Sequence, residues 1–519
     1  MNTPTPRSIV IGGGVAGLAT AALLAHRGHA VTLIEQTNEL GGRAGNHRAH
    51  GFTWDTGPSW YLMPEAFDHF FEQLGTSTAA ELDLVRLDPA YRIFPENHAP
   101  VDVTTGAAAE LFESLEPGAG AKLTDYLQVA ELTYRTAIDQ FLYTTFAAVH
   151  PYLRLQLLRR VGLLTRLLTT SLKDWVERRF THPVLRQILQ YPAVFLSSDP
   201  ARTPAMYHLL SHTDLTEGVY YPQGGFHAVI DTLIRLAQQA GAELRTGCTA
   251  EEILCDPGFA TGRRHAVRGV RIRRADGVVE TLHADTVVSC ADLYHTENAL
   301  LAPGFRSYGP STWKRRDPGI SVVVALLGVE GELPELLHHQ LFLSEDWDSD
   351  FHEIFHQGGV SRSIYVSKTS ATDPSVAPEG CENLFVLIPA AADPELGHGS
   401  LYAADGIAAQ RITGIVDDAI AMIAERAGIP DLASRVISCS SIGPADYANR
   451  FNAWRGNAIG PAHTLRQSAF LRGSNASRKV AGLYYAGATT VPGVGVPMCL
   501  ISAENVIKRI TGDTSTGPA

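Results

Sequence analysis

Residues 8–35 of the chain are SIVIGGGVAGLATAALLAHRGHAVTLIE, and this stretch decides the fold. It begins with a short apolar run that ends in a glycine-rich turn. The Ala- and Leu-rich segment after the turn predicts a helix over residues 18–27, which Gly28 closes. A second buried strand is predicted over residues 30–34, with Glu35 at its end. The order of strand, glycine turn, helix, strand and acid predicts a βαβ unit that binds a dinucleotide.

Each glycine of the turn has a predicted role. Gly12 permits the tight turn, and Gly14 lets a pyrophosphate approach the backbone. Gly17 lets the helix pack close to the strand. At the helix N-terminus, which includes Val15 and Ala16, the free N–H groups and the helix dipole hold the phosphates.

Glu35 is predicted to accept hydrogen bonds from the ribose hydroxyls of the adenosine half. No basic residue stands beside it, which disfavours a 2′-phosphate and therefore NADP. A bare GxGxxG occurs by chance in roughly one chain of this length in six. The strand, helix and acid around it make coincidence improbable. The alternative is a glycine-rich turn in a purely structural βαβ unit.

The next segment, residues 38–44 (NELGGRA), distinguishes FAD from NAD. A plain NAD-binding domain has no need of a second glycine pair and an arginine at this point. In FAD enzymes of the glutathione-reductase and amine-oxidase type, this loop folds back. Its glycine backbone and arginine then meet the pyrophosphate and the flavin side. Gly41, Gly42 and Arg43 resemble that pattern, and FAD is the favoured cofactor.

Length and composition describe a globular protein with more than one lobe. The 519 residues exceed what one hydrophobic core supports. The charged fraction of 18% leaves room for internal apolar surface or an apolar ligand. A net charge of −12 argues against nucleic-acid binding. The six cysteines lack CxxC spacing, so we expect no metal site and no disulfide framework.

The N-terminal residues MNTPTPR do not resemble a signal peptide. No run approaches the ~18 apolar residues of a membrane-spanning helix. We therefore expect a cytoplasmic protein, and peripheral contact with the cytoplasmic membrane face stays open.

A basic segment, residues 151–180, stands out in this acidic chain. Helical spacing predicts one apolar face, with Arg159, Arg166 and Lys173 on the opposite side. A basic amphipathic helix of this kind is typical of a membrane interface. The alternative is a surface helix packed on the core. The predicted apolar face consists of Leu157, Val161, Leu164, Leu168, Leu172 and Trp175.

The predicted fold class is α/β, with a discontinuous Rossmann-type FAD-binding domain of amine-oxidase-like type. An α+β substrate domain and a helical region accompany it, and the helical region is a candidate for membrane association. A hairpin is predicted around Asp276-Gly277. The predicted boundaries are residues 1–75, 220–300 and 475–519 for the FAD-binding domain, 76–120 and 301–474 for the substrate domain, and 121–219 for the helical region.

Five stretches together resemble the bacterial-type phytoene desaturase family of carotenoid dehydrogenases, which belongs to the amine-oxidase-like flavoproteins. They follow the family's order through most of the chain, and the C-terminal stretch is the discriminating one. They are residues 10–45, 51–59 (GFTWDTGPS), 218–225 (GVYYPQGG), 451–475 (FNAWRGNAIGPAHTLRQSAFLRGSN) and 482–506 (GLYYAGATTVPGVGVPMCLISAENV).

The resemblance implies FAD as sole redox cofactor, a long apolar isoprenoid substrate such as phytoene, and peripheral membrane association. With such a substrate, the membrane interpretation of the basic segment is favoured. Many amine-oxidase-type enzymes place an acid after the equivalent of Gly487, whereas Ala488 follows here, as is common in carotenoid desaturases. The further cofactor contacts that the resemblance implies are Gly57, Pro58, Ser59, Ala250, Gly487, Gly495 and Val496.

The implied chemistry removes a hydride and a proton from adjacent carbons, and the cofactor carries the difficult step. No catalytic residue is predicted. His47, His50, His208 and His227 are candidate proton acceptors that are better interpreted as structural or exposed. No second NAD fingerprint is apparent, so oxygen or a quinone is expected to reoxidise the flavin. Four alternatives stay open: a carotenoid cis–trans isomerase, a later-step carotenoid desaturase or oxidase, an amine oxidase, and a flavin-free escort for prenylated proteins.

Overall fold

Strands and helices share the chain in the computed structural model, which describes residues 5–147, 155–256 and 265–519. The strands are β1 (Arg7–Ile11), β2 (Ala30–Ile34), β3 (Asn46–Ala49), β4 (Phe52–Asp55), β5 (Leu84–Arg86), β6 (Tyr91–Pro95), β7 (Val101–Val103), β8 (Tyr220–Pro222), β9 (Glu243–Arg245), β10 (Cys248–Asp256), β11 (His265–Arg274), β12 (Val279–His283), β13 (Thr286–Ser289), β14 (Ile320–Glu330), β15 (His339–Leu343), β16 (Ile364–Ser367), β17 (Cys381–Ala391), β18 (Val436–Ile442), β19 (Val480–Ala481) and β20 (Leu483–Tyr485).

The α-helices connect and cover these strands. They are α1 (Val15–His26), α2 (Pro64–Gln73), α3 (Thr78–Glu81), α4 (Ala108–Leu115), α5 (Ala119–Ala137), α6 (Leu155–Thr169), α7 (Leu172–Glu177), α8 (Pro183–Gln190), α9 (Pro192–Phe195), α10 (Leu210–His212), α11 (Phe226–Gln239), α12 (Leu293–His295), α13 (Pro310–Arg315), α14 (Trp347–His352), α15 (Gln410–Ala427), α16 (Leu432–Arg435), α17 (Pro444–Phe451) and α18 (Val496–Thr511).

A parallel five-stranded sheet carries the predicted nucleotide-binding unit. Its strand order is β20-β13-β1-β2-β9, and all neighbours pair in parallel. The chain leaves β1 toward β2 on one side and later adds β13 and β20 on the other. The carboxyl end of β1 is therefore the point where the strand order reverses, which is where open α/β sheets bind ligands.

The hairpin predicted around Asp276-Gly277 is present. β11 and β12 pair antiparallel, and Gly277 takes a φ of +83° in the turn. β10 extends this ribbon and begins beside the end of β2, where the Cys248 N–H donates to the carbonyl oxygen of Glu35 at 2.8 Å. The ribbon thus borders the nucleotide-binding sheet.

A seven-stranded sheet of order β18-β14-β17-β16-β15-β6-β7 forms the second lobe. One face packs on α15 through an apolar cluster that includes Val323 and Ile412. The other face contributes Tyr91, Leu341 and Tyr365 to the largest apolar cluster, which also takes in α7 and α8. Successive side chains of a β-strand point to opposite faces, so this sheet, whose central strands β14 and β15 are buried on both faces, serves two cores.

The basic segment is not one continuous amphipathic helix, so that prediction is wrong. α6 ends at Thr169 and α7 begins at Leu172, because Ser171 accepts a hydrogen bond from the Asp174 N–H at 3.0 Å and caps a new helix. The Leu172 N–H donates to Thr203 at 2.8 Å, which ties the break to a later segment.

The predicted apolar face is divided by this break. Leu172 and Trp175 are buried in the core, whereas Leu168 is 37% exposed. Trp175 lies between the guanidinium groups of Arg166 and Arg179, at 5.3 and 3.8 Å from its ring centroid. Trp175 is therefore a core residue and does not face a membrane. Outside what the structure describes lie residues 151–154 and the side chains of Leu157, Arg159 and Val161.

Among the described residues, no helix combines the length and apolar character needed to cross a bilayer.

Candidate functional site: a glycine-lined dinucleotide cradle

The first glycine turn has room for a ligand at one position and none at another. Gly14 is the N-cap of α1, and a Cβ added there would find its nearest neighbour, the Gly41 carbonyl oxygen, at 3.8 Å. A Cβ added at Gly17 would lie 1.8 Å from the carbonyl oxygen of Gly12. Gly17 therefore serves close packing, and Gly14 keeps open the approach to the helix N-terminus. Val15 and Ala16 form the first turn there, where helix N–H groups lack intrahelical partners.

The second glycine pair faces the first turn. Gly41 and Gly42 have φ values of +111° and +60°, which favour glycine. The Gly41 N–H donates to the Gly13 carbonyl oxygen at 2.8 Å, and a Cβ at Gly42 would lie 3.2 Å from the Gly14 Cα. The two loops therefore form opposite walls of one narrow backbone cradle.

Arg43 extends from the second loop into the interior. Burial lowers the pKa of its guanidinium, and the nearby Asp292 opposes that shift. Asp292 is itself buried and accepts hydrogen bonds from the N–H groups of Tyr294 and Trp454, at 2.7 and 3.3 Å. Among the described residues, the Arg43 guanidinium has no hydrogen bond or ion pair. A half-buried cation that makes no hydrogen bond within the described residues suits an anionic ligand.

Glu35 stands at the adenosine end of the predicted cradle. Its carboxylate accepts hydrogen bonds from the Gly13 N–H at 2.8 Å and the Thr37 N–H at 2.9 Å. Ala250 lies in β10, two residues after the strand meets Glu35, and is half-buried. Gly247 and Thr249 line a cleft of about 430 Å³ at this point. Ribose contact by Glu35 stays a prediction.

The C-terminal motif packs directly on the first turn of α1. A Cβ at Gly487 would lie 3.5 Å from the Cβ of Ala16. The Gly487 N–H donates to Ser502 of α18 at 3.0 Å. Gly495, with a φ of +110°, is the N-cap of α18, which begins at Val496. A second helix N-terminus is thereby brought to the same region, although these residues lie about 480 positions beyond Gly14 in the chain.

The loop after β4 closes the cradle from the side of the second lobe. A Cβ at Gly57 would lie 2.0 Å from the carbonyl oxygen of Arg43, so the two loops are in direct contact. Pro58 and Ser59 follow and are half-buried. The Tyr365 hydroxyl lies 2.9 Å from Ser59 Oγ, which connects this loop to the seven-stranded sheet.

The four candidate histidines have structural contacts. His47 lies 3.3 Å from Ser440 Oγ and His50 lies 3.2 Å from Ser438 Oγ. His208 is buried, its Nδ1 lies 2.8 Å from the Ala205 carbonyl oxygen, and burial lowers its pKa to about 4. His227 is in the first turn of α11, near Asp231 at 3.5 Å.

Sequence reasoning missed two groups of residues in this region. Arg472 is a buried cation whose guanidinium donates to the carbonyl oxygens of Ala488 and Thr490, at 2.6 and 3.0 Å. It holds the C-terminal loop in place. The second group is a set of aromatic rings around Trp60. Its one sequence signal is that Trp60 directly follows Gly57-Pro58-Ser59.

These residues define a dinucleotide-binding oxidoreductase fold with room for a diphosphate. An open helix N-terminus, two glycine loops and a half-buried arginine without a hydrogen bond to the described residues fit the charge and shape of a dinucleotide. Among the described residues, no group of three or more His, Cys, Asp or Glu could hold a metal ion.

Comparison with known proteins agrees with this class. The family model for flavin containing amine oxidoreductases matches residues 15–511. A carotenoid 3,4-desaturase from Haloarcula japonica is 40% identical over 97% of this chain and 98% of its own length. A zeta-carotene-forming phytoene desaturase from Myxococcus xanthus is 34% identical over 98% of this chain and 94% of its own length.

Solved structures support the fold. An oxidoreductase from Methanosarcina mazei superposes with a TM-score of 0.61, at 16% identity, over 97% of this chain and 100% of its own. A putrescine oxidase bound to putrescine gives a TM-score of 0.60, at 13% identity, over 98% of this chain and 99% of its own. The chain belongs to the bacterial-type carotenoid desaturase family, within the flavin-containing amine oxidoreductases. FAD is its cofactor.

Proposed function

We propose that this protein is an FAD-dependent desaturase that introduces double bonds into a long apolar isoprenoid such as phytoene. The observation that carries the proposal is the glycine cradle around Gly14, in a chain 34–40% identical over almost its whole length to carotenoid desaturases. When bound, FAD supplies the acceptor for the hydride that leaves the substrate.

The protein's own residues hold and enclose the reactants. The N-terminus of α1 and the two glycine loops bind the diphosphate, and Arg43 neutralises part of its charge. Half-buried apolar side chains that pack on the largest apolar cluster supply an apolar surface for the polyene. They include Trp60, Leu62, Phe195, Met206 and Leu387.

The test is anaerobic mixing of the purified flavoprotein with phytoene in liposomes. We expect the flavin absorption to bleach and the product to absorb at longer wavelength and to lose two hydrogens per new double bond. A product of unchanged mass would indicate an isomerase. Bleaching by an amine alone would indicate an amine oxidase. A colourless protein that FAD cannot reconstitute would indicate an escort protein.

A later-step desaturase is a second candidate, because the relative at 40% identity is named a carotenoid 3,4-desaturase and the phytoene desaturase stands at 34%. Parallel reactions with phytoene and with a carotenoid whose central chain is already conjugated separate the two. Hydrogen loss from the conjugated carotenoid alone would support the later step.

We also propose peripheral association with the cytoplasmic membrane face, where such substrates dissolve. An exposed apolar patch supports it: Leu465, Phe470 and Leu471 are 45%, 69% and 47% exposed. The Phe146 ring packs edge-on against Phe470 at 6.3 Å. Arg466 adds an exposed positive charge that suits anionic lipid.

Liposome flotation tests this surface. Changing both Phe470 and Leu471 to serine should abolish flotation with anionic liposomes. Ile407→Ser is the matched control, because Ile407 is 65% exposed in a different loop. Equal loss in both proteins, or no loss in either, would refute the assigned surface.

Whether oxygen or a quinone reoxidises the flavin is tested by adding each to the reduced enzyme.

A further inference from the structure

Trp60 is the centre of an aromatic box. Five rings surround its indole, with centroids 4.6–6.1 Å away. The His339 ring stacks flat on the indole at 4.6 Å and 6°, and the other four are tilted by 46–55°. Trp60 and Phe195 keep partial solvent access, whereas the other members are buried. The box consists of Trp60, Tyr91, Tyr191, Phe195, His339 and Tyr365.

The box begins three residues after the cofactor cradle. Gly57 is in direct contact with Arg43, and Trp60 follows on the same loop. Ser59 Oγ lies 2.9 Å from the Tyr365 hydroxyl, which in turn lies 2.8 Å from His339 Nδ1. One continuous set of contacts therefore runs from the cradle to the rings.

A buried acid positions two of the rings. Asp214 Oδ2 accepts hydrogen bonds from the hydroxyls of Tyr91 and Tyr191, at 2.9 and 2.8 Å. The two phenol rings meet edge to face at 5.6 Å. Asp214 is 3% exposed and comes from a different segment than either tyrosine. It is a positioning residue for the box.

The box has no positive charge of its own. Burial holds the pKa of His339 well below its ordinary value, so that ring is neutral. Trp60 Nε1, His339 Nε2 and Asp214 Oδ1 find no hydrogen-bond partner within the described parts of the chain. Unpaired polar atoms of this kind carry a cost in free energy and call for an explanation. An apolar surface alone would be served equally well by aliphatic side chains.

We propose that the aromatic box stabilises the positive charge that develops on the polyene as hydride leaves it, with Trp60 as the residue that contacts the substrate. The inference rests on the proposed desaturase function and deepens it. The C–H bond breaks with both electrons, which pass to the bound flavin as hydride. The neighbouring carbon then loses a proton to solvent, and its C–H electrons form the new double bond.

The electronic structure of the rings suits that charge. Aromatic faces attract cations through their quadrupole, and tryptophan does so most strongly, especially away from water. The hydrogen bonds from Tyr91 and Tyr191 to Asp214 hold these two rings in a fixed orientation. Loss of the central ring is expected to slow hydride transfer by about tenfold to thirtyfold, which is the range that one such interaction provides.

The experiment measures the rate of flavin bleaching in the holoenzyme, mixed anaerobically with the carotenoid that the wild type oxidises. The variants compared carry tryptophan, phenylalanine or leucine at position 60. A further series carries tryptophan with one to four fluorines there, introduced by site-specific incorporation. Each fluorine reduces the negative electrostatic potential at the face of the indole ring and barely changes the size of the ring. We expect the logarithm of the rate to fall steadily with each fluorine, Trp60→Phe to keep most activity, and Trp60→Leu to lose about tenfold or more.

The matched control is Phe94→Leu. Phe94 is in β6 next to Ile93 but on the opposite face of the sheet, stacked on Phe342 at 4.6 Å. Its rate should stay within twofold of wild type. Flavin content and substrate Kd are measured for every variant and should stay near wild type across the fluorine series.

A flat fluorine series, or equal rates for the leucine and phenylalanine variants, would overturn the inference and leave the desaturase proposal intact. A wild-type protein that no carotenoid bleaches would overturn both. The fluorinated series retains the shape of tryptophan, so the inference stays falsifiable even if Trp60→Leu fails to fold.

Discussion

Substituting alanine at Gly14 should empty the cofactor site without harming the fold. The backbone there is extended, with φ −77° and ψ −177°, so alanine fits, and the added Cβ has no protein atom closer than 3.8 Å. Alanine restricts the unfolded chain more than glycine does, which stabilises the folded protein by about 0.4–1 kcal/mol. Losing glycine at an N-cap costs a similar amount. The free energy of unfolding of the apoprotein should therefore change by less than about 0.5 kcal/mol.

Cofactor binding should change far more, because the Cβ occupies the space through which the diphosphate reaches α1. Losing two hydrogen bonds to a charged group costs about 3–6 kcal/mol. That corresponds to roughly a hundredfold to ten-thousandfold rise in the Kd for FAD. Fluorescence titration of apoprotein with FAD measures the Kd, and thermal unfolding of the apoprotein measures stability.

Gly17→Ala is the contrasting variant. Its Cβ would lie 1.8 Å from the Gly12 carbonyl oxygen, so it should unfold the βαβ unit itself. If Gly14→Ala protein retains the flavin content and Kd of wild type, the cradle does not hold the diphosphate and the reasoning fails.

Three further tests, with four substitutions, examine charged side chains inside the protein. Arg43→Met should lower FAD retention with little change in apoprotein stability, whereas Arg472→Met should cost several kcal/mol, because its carbonyl partners lose a cationic donor. Burial raises the pKa of Asp214 to about 7, so the folded protein holds this proton more tightly than the unfolded chain does. The free energy of unfolding of wild type should therefore fall by as much as about 4 kcal/mol between pH 4 and 7. Asp214→Asn should lack this part of the decline. Asp55→Ala should cost about 1–2 kcal/mol, since the Asp55 carboxylate accepts hydrogen bonds from the first N–H groups of α11, at 2.8 and 3.1 Å.

Each of these has a measurement and a contrary result. Flavin absorption and thermal unfolding compare the Arg43→Met and Arg472→Met variants. Equal destabilisation of the two apoproteins would contradict the expectation for Arg43. Denaturant titrations at several pH values test Asp214, where parallel curves for wild type and variant would contradict the second. The control for Asp55 is Asp231→Ala on the exposed side of α11, and equal losses in the two would contradict the third.

The nucleotide-binding unit could be predicted because its signals are local. Gly28 takes a φ of +85° just after α1, as its position at the predicted helix end requires. The predicted helix begins at residue 18, whereas α1 begins at Val15. Gly14 is the N-cap, so the first turn of the helix already includes Gly17. The strand to Glu35 ends where apolar residues end. Local spacing is sufficient when the element and its turn are both short.

The rest depends on contacts between distant segments. The division of the basic segment follows from Leu172 pairing with Thr203, which no helical periodicity records. The aromatic box combines Trp60, Tyr91, Tyr191 and Tyr365 from four separate segments. In a sheet that is buried on both sides, the residues on the two faces of a strand are equally apolar, so the sequence does not show which core each face joins. Strand pairing decides this.

The packing of Gly487 against Ala16 has a consequence for biosynthesis. Part of the binding cleft comes from β20 and α18, which the ribosome adds long after the first glycine turn, since β20 forms the edge of the central sheet and α18 spans Val496–Thr511. The flavin can therefore be captured firmly only after translation has passed that helix. Premature termination between the first glycine turn and α18 would yield a polypeptide that contains every residue of that turn and yet remains colourless.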